Sequence, residues 1–194
     1  MKSEYWILLG GVLVVALAGI VAWRLWGRRG RLTLSEVLAT VAIDRVHDVL
    51  VPDGMGGHIQ VEHLLLTGGG LLVIDVKAFE GTIFASERMA EWTVIGKKGR
   101  FTFPNPLGTL YDRVAALKQL VRDVPVTGLV LFDERADFSK GRPRDVLSPA
   151  ELIERFARPE KADLERLLVA FAPHWERVKS ATEPVPGGSA RGAL

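Results

Sequence analysis

Two runs rich in Val, Ile and Leu meet at Gly68-Gly69-Gly70 within residues 58 to 77, HIQVEHLLLTGGGLLVIDVK. Short β-branched runs joined by glycines predict a β-hairpin. With Gly68 and Gly69 as the loop, Thr67 pairs with Gly70. Stepping back along both strands then sets Glu62 across from Asp75 and Gln60 across from Lys77. A four-residue loop closed by Leu66 and Leu71 gives the same register. Upstream, Leu34, Val37, Leu38, Val41 and Ala42 recur at helical spacing and predict a helix over residues 32–44. A first strand follows at 46–51. Downstream the pattern predicts a short strand at 82–85 and a second hairpin, 91–95 with 100–103, around Gly96-Lys97-Lys98-Gly99. Asn105-Pro106 is a cap and first-turn pair for a helix to about residue 122, with Leu107, Leu110, Val114, Leu117 and Val121 inward. The continuous apolar run 126–132 reads as a strand covered on both faces. A short strand at 145–147 precedes Ser148-Pro149-Ala150-Glu151, which opens a helix to about residue 158. A last helix over 161–171 is expected to be interrupted near Pro173. The Pro-, Gly- and Ser-rich tail from residue 180 is expected to be unstructured. Helices interleaved with strands place the chain in the α/β class.

One apolar stretch does not belong to such a domain. Residues 6–23, WILLGGVLVVALAGIVAW, hold no charge over 18 residues and are flanked by Trp6 and Trp23, as expected of a membrane-spanning helix. Ala16-Leu17-Ala18 resembles a signal-peptidase site, but the apolar run continues past it and ends in Arg24, Arg28, Arg29 and Arg31. A single-pass anchor is therefore expected, with the following domain on the cytoplasmic side by the positive-inside rule. The anchor also accounts for the basic balance of the chain. Residues 1–31 carry Lys2 and four arginines against Glu4, a net +4, so residues 32–194 hold 20 basic and 22 acidic groups, a net −2. A domain so near neutrality is no general magnet for nucleic acid and must bind it through a local patch. The absence of cysteine excludes disulfides and thiolate metal sites.

The candidate chemistry lies in the first hairpin. Glu62 and Asp75, opposed on one face, repel each other unless a cation lies between them. Lys77 projects on the face of Asp75, one step along the strand. Two carboxylates and a lysine suit a hard divalent ion, Mg²⁺ or Mn²⁺. The plainer reading is a salt bridge from Lys77 to Asp75 or Glu62.

Glu62, Ile74-Asp75-Val76-Lys77, Gly81, Trp92 and Asn105-Pro106 ahead of a helix, taken in order, resemble the nuclease-related domain (NERD) family, a branch of the PD-(D/E)xK restriction-endonuclease-like superfamily. The resemblance covers about residues 32–135. It implies an α-β-β-β-α-β core with a mixed sheet, in which Glu62, Asp75 and the Val76 carbonyl hold Mg²⁺ or Mn²⁺ and Lys77 stands by the attacking water. Glu36 matches a glutamate in the family's first helix, although Thr33 three residues before it also fits a capping box. The family more often has Asp where Glu62 stands, Glu where Asp75 stands, and Gln at the position of Thr109. The implied activity is metal-dependent hydrolysis of nucleic acid, DNA ahead of RNA. A cleavage-inactive, membrane-tethered nucleic-acid-binding or adaptor domain is the alternative.

The remaining candidates are weaker. Lys97, Lys98 and Arg100 on the second hairpin tip could touch phosphates, while Trp92 reads as packing beside Val94, Phe101 and Phe103. His63 is expected to pack on the face away from Glu62, His58 to lie at an exposed strand end, and Glu80 to be a turn residue. The expected organisation is an anchor and basic flank over 1–31, a nuclease-like core over 32–135, a strand-and-helix extension over 136–179 and a disordered tail over 180–194.

Overall fold

The computed structural model describes residues 32–186. The expected anchor at 6–23, its basic flank through Arg31 and the tail over 187–194 lie outside the described residues. Among the described residues no helix is long and apolar enough to cross a membrane. The chain divides into two compact units, 1–36 and 37–194. The described part of the first opens helix α1 (Leu34–Val41). There Glu36 Oε2 accepts from the Thr33 N–H at 2.6 Å and from Thr33 Oγ1 at 2.8 Å, while Thr33 Oγ1 accepts from the Glu36 N–H at 3.3 Å. The capping box is thus formed, and these bonds hold the Glu36 carboxyl below its ordinary range.

The second unit is built on strands β1 (Asp44–Pro52), β2 (His58–Thr67), β3 (Gly70–Lys77) and β7 (Val126–Phe132). Between β3 and β7 come β4 (Gly81–Phe84), β5 (Glu91–Gly96), β6 (Gly99–Pro104) and helix α2 (Pro106–Leu120). After β7 follow β8 (Ala136–Asp137), β9 (Val146–Leu147), α3 (Pro149–Arg155), α4 (Lys161–Ala181) and β10 (Glu183–Pro184). The main sheet has the order β10-β1-β2-β3-β7-β9. It is mixed: antiparallel through β3, then parallel from β3 to β7 and β9. A second sheet, β6-β5-β4-β8, is formed by the segment between β3 and α2 together with β8.

The main sheet buries both faces, as its parallel half requires. On one face Val37, Leu38 and Val41 of α1 and Leu152 of α3 pack on Leu65, Leu72, Ile74, Leu129 and Leu131. On the other, Leu107, Leu110 and Leu117 of α2, Trp175 and Val178 of α4, and Ile83, Trp92 and Val94 of the second sheet pack on Leu64, Leu66, Val73, Val130 and Phe132. Helix α2 lies close to β7 because position 128 is glycine: a Cβ there would stand 2.7 Å from Val114 Cγ2 and 2.9 Å from Leu110 Cγ. Its start is fixed by Asn105, whose Oδ1 accepts from the Leu107 N–H at 3.0 Å while its Nδ2 donates to the Met89 carbonyl at 2.8 Å.

Two expectations at the C-terminus are corrected. Helix α4 runs through Pro173 to Ala181 without interruption. An internal proline costs about 3 kcal/mol of helix stability, but the turns beyond it carry Trp175 and Val178, 2% and 0% exposed. Trp175 Nε1–H also donates to Asp44 Oδ2 at 2.7 Å. The chain past residue 180 is likewise ordered as far as β10, which pairs with β1 through Val49 and Leu50. Proline is tolerated in β10 because the strand lies at the sheet edge.

Candidate functional site

The β2–β3 hairpin has the expected register. Gly68 and Gly69 form the loop, and pairs run from Thr67–Gly70 down to His63–Ile74. The positive φ falls on Gly70, at 111°, where a Cβ would collide with the Pro125 carbonyl oxygen. Below His63 and Ile74 the ladder stops, one step before Glu62 and Asp75. The Glu62 carboxylate enters that gap: its Oε2 accepts from the Val76 N–H at 3.2 Å. A backbone donor released by the splay is satisfied in this way.

The splay coincides with a slip in the side-chain phase. On β2, Leu66 and Leu64 share a core face at the regular step of two, but the next residue on that face is Val61, three positions back. On β1, Val51 and Val49 share the face and the next is Val46. The slip falls at Glu62 on one strand and Asp48 on the other. Asp48 has φ +49°, a left-handed conformation unusual for a residue other than glycine. Both strands slip together, so the β1–β2 register is the same on either side. Irregularities of this kind re-aim a side chain; here the one re-aimed is Glu62. His63 accordingly does not sit opposite Glu62 as expected. Its Nε2 lies 3.8 Å from Glu62 Oε1, and burial holds its imidazole below the usual value.

Asp75 is the focus of charge. It is only 6% exposed. Its Oδ1 lies 3.0 Å from Lys77 Nζ and its Oδ2 lies 3.3 Å from Nη1 of Arg113, on α2. Arg113 Nε also donates to the Gln60 carbonyl at 2.6 Å, so one guanidinium ties α2 to both β2 and β3. Burial pushes the Glu62 carboxyl above the ordinary range. The Val76 N–H opposes this shift and the neighbouring Asp75 carboxylate adds to it. Glu62, Asp75 and Lys77 are thus assembled at one end of the hairpin. A strand residue turns its N–H and its carbonyl to the same side, so the Val76 carbonyl faces the gap that its N–H shares with Glu62.

Arg113 is the participant that the hydrophobic pattern does not announce. One signal for it exists: three residues after Leu110 and four before Leu117, it places a charge within the apolar stripe of α2. Thr109, one turn earlier, is exposed. Glu36 serves its capping box with Thr33. Lys97, Lys98 and Arg100 are exposed on the β5–β6 hairpin, Lys97 lying 3.9 Å from Glu80. Glu80 is more than a turn residue, since its Oε2 accepts from Arg135 Nη1 at 3.2 Å. His58 is exposed at the start of β2, and Trp92 is fully buried, its ring 5.9 Å from that of Phe103. Among the described residues no three His, Cys, Asp or Glu side chains group as metal ligands, so any ion here has two carboxylates and backbone oxygen to bind.

No solved structure matches the chain. An uncharacterized protein of Bacillus anthracis is 26% identical over 96 residues, which cover 49% of this chain and 45% of that relative; the chain thus spans about half the length of the relative it matches. The pattern of the nuclease-related domain matches residues 27–133, which include β2, β3 and α2 and so every residue of the Glu62–Asp75–Lys77–Arg113 cluster. That match spans more than half of the chain, and the protein belongs to the nuclease-related domain (NERD) family.

Proposed function

We propose that this protein is a membrane-anchored, metal-dependent nuclease of the restriction-endonuclease-like type, hydrolysing phosphodiester bonds of nucleic acid at the open end of the β2–β3 hairpin. The observation that carries the reading is the convergence of Glu62 and Asp75, with Lys77 3.0 Å from Asp75, where the ladder parts. With β4, β5 and β6 inserted between β3 and α2, the elements α1, β1, β2, β3, α2 and β7 follow the core that the family implies. Residues 6–23 tether the domain, and the arginines that follow place it on the cytoplasmic side.

The donors fit a hard divalent ion. Glu62, Asp75 and the Val76 carbonyl would hold Mg²⁺ or Mn²⁺, which take oxygen ligands and commonly bind through one or two carboxylates, completing the shell with water and phosphate oxygens. When bound, the ion supplies Lewis-acid polarisation of the scissile phosphate. Asp75 orients Lys77, whose side chain is 26% exposed and so reaches solvent at the site. The ammonium can hydrogen-bond the attacking water and the charge that develops on phosphate. Lys97, Lys98 and Arg100 offer a separate, solvent-facing strip for backbone phosphates.

The test is cleavage of a panel of DNA and RNA by the purified full-length protein with Mg²⁺ or Mn²⁺, beside Asp75→Ala and Lys77→Ala. Metal-dependent cutting should fall roughly 100-fold or more in both variants, the scale of losing a group that stabilises transition-state charge. A folded parent that binds nucleic acid but cuts none of the panel overturns the enzyme reading in favour of a cleavage-inactive tethered binding domain. That second reading is favoured by one observation: both Asp75 oxygens already face cationic side chains.

A further inference from the structure

We propose that Arg113 is an internal counter-cation that a divalent ion must displace from Asp75, so that the guanidinium sets how weakly the site holds its metal. The inference rests on the metal-dependent reading above and concerns a residue outside the carboxylate–lysine set. Arg113 is not a surface charge resting nearby. Its side chain is 16% exposed, its Nη1 is 3.3 Å from Asp75 Oδ2, and its Nε donates at 2.6 Å to the Gln60 carbonyl. The Gln60 contact holds the guanidinium in place independently of Asp75. Asp75 Oδ1 is meanwhile engaged by Lys77, and Glu62 Oε2 by the Val76 N–H. Two carboxylates facing one ammonium and one guanidinium sum to no net charge. A divalent ion entering between Glu62 and Asp75 therefore meets a site already neutralised and loses the attraction that two free carboxylates would exert. It must also take Asp75 Oδ2 from its ion pair with a guanidinium that the Gln60 carbonyl holds in place.

The geometry points to Arg113 as a positioning residue that acts through Asp75, and direct metal titration tests it without reliance on turnover. Mn²⁺ binding to the full-length protein, followed by electron paramagnetic resonance of the free ion, should tighten about tenfold or more in Arg113→Gln, the scale of one close ion pair no longer given up. Arg113→Lys, which restores the charge, should return most of that gain. Asp75→Asn should lose the site. Unchanged or weaker Mn²⁺ binding by folded Arg113→Gln overturns the inference while leaving the metal reading intact. Mn²⁺ binding that is indifferent to Asp75→Asn overturns the metal reading and the inference with it. A second measurement needs no variant at Arg113: the Nε–H resonance of Arg113 in the parent should move as Mg²⁺ is added, and a resonance that stays fixed at saturation refutes displacement.

Discussion

The candidate site makes opposite demands on its two carboxylates, and removing them one at a time should show it. In the metal-free protein Asp75 lies between Lys77 Nζ at 3.0 Å and Arg113 Nη1 at 3.3 Å. Asp75→Asn keeps the shape and removes the charge that both cations face. Taking one partner out of a buried pair costs about 3–5 kcal/mol. Lys77 and Arg113 are 26% and 16% exposed and so retain some access to water. That exposure lowers the expected cost to about 2–3 kcal/mol, or roughly 4–12 °C in Tm for a domain of this size. Glu62→Gln works the other way. A glutamine carbonyl can still accept from the Val76 N–H, while burial and the Asp75 carboxylate no longer act against an ionised side chain. With 41% of the Glu62 side chain exposed, solvent screens most of this effect, so stability should stay level or rise by no more than about 0.5 kcal/mol. Urea unfolding with a chelator present, followed by fluorescence of the buried Trp92 and Trp175, measures both variants. If Glu62→Gln destabilises as much as Asp75→Asn, the two groups do not adjoin as competing anions and the geometry argued for the site is wrong.

Two further predictions test the frame that holds the site. Gly70→Ala forces a side chain into φ +111° and against the Pro125 carbonyl, so it should cost about 3 kcal/mol by thermal unfolding. Gly69→Ala, whose Cβ would meet nothing nearer than Thr67 Oγ1 at 3.9 Å, should change stability by no more than about 0.5 kcal/mol; equal losses would contradict the turn. The second concerns pH. Hydrogen bonds from Arg142 lower the Glu151 carboxyl to about 2, burial opposes the shift and the Ser148 cap adds to it. A carboxyl lowered on folding stabilises above its unfolded value and loses that contribution as pH falls through its folded value. The stability gap between the parent and Glu151→Gln should therefore be full, about 1 kcal/mol given the partial exposure of the pair, above roughly pH 4.5, and close toward pH 2 in urea titrations. A gap unchanged at pH 2 would assign it to packing.

Much of this architecture is legible in the sequence because local chemistry sets it. The hairpin register follows from a glycine loop, the start of α2 from Asn105 and Pro106, and two capping boxes from Thr33 with Glu36 and Ser148 with Glu151. What the sequence conceals is decided between elements. Pro173 reads as an end to α4, but the burial of Trp175 and Val178 and the bond from Trp175 to Asp44 carry the helix past it. Residues 183–184 carry no strand pattern and become a strand because β1 presents an open edge.

The site lies where these two kinds of information meet. Strict alternation along β2 places Glu62 on the face of Leu64 and Leu66 and predicts that it stands square to Asp75. The chain instead slips one position at Glu62 and Asp48, the ladder to β3 opens, and the carboxylate turns into the opening to take the Val76 N–H. A regular strand would spend that backbone donor on its neighbour and leave Glu62 on the sheet face, short of the gap. Asp48 in the left-handed region costs on the order of 1 kcal/mol or more, and such a conformation persists where the surroundings impose it. β1 is held here from both sides, by its pairing with β2 and by the Val185 N–H on the Asp48 carbonyl at 2.9 Å. Arg113 completes the arrangement from α2, reaching Asp75 and the Gln60 backbone two residues before the slip. The carboxylate pair is therefore positioned by an irregularity in two strands and an arginine on a helix, none of which the Asp-x-Lys spacing contains.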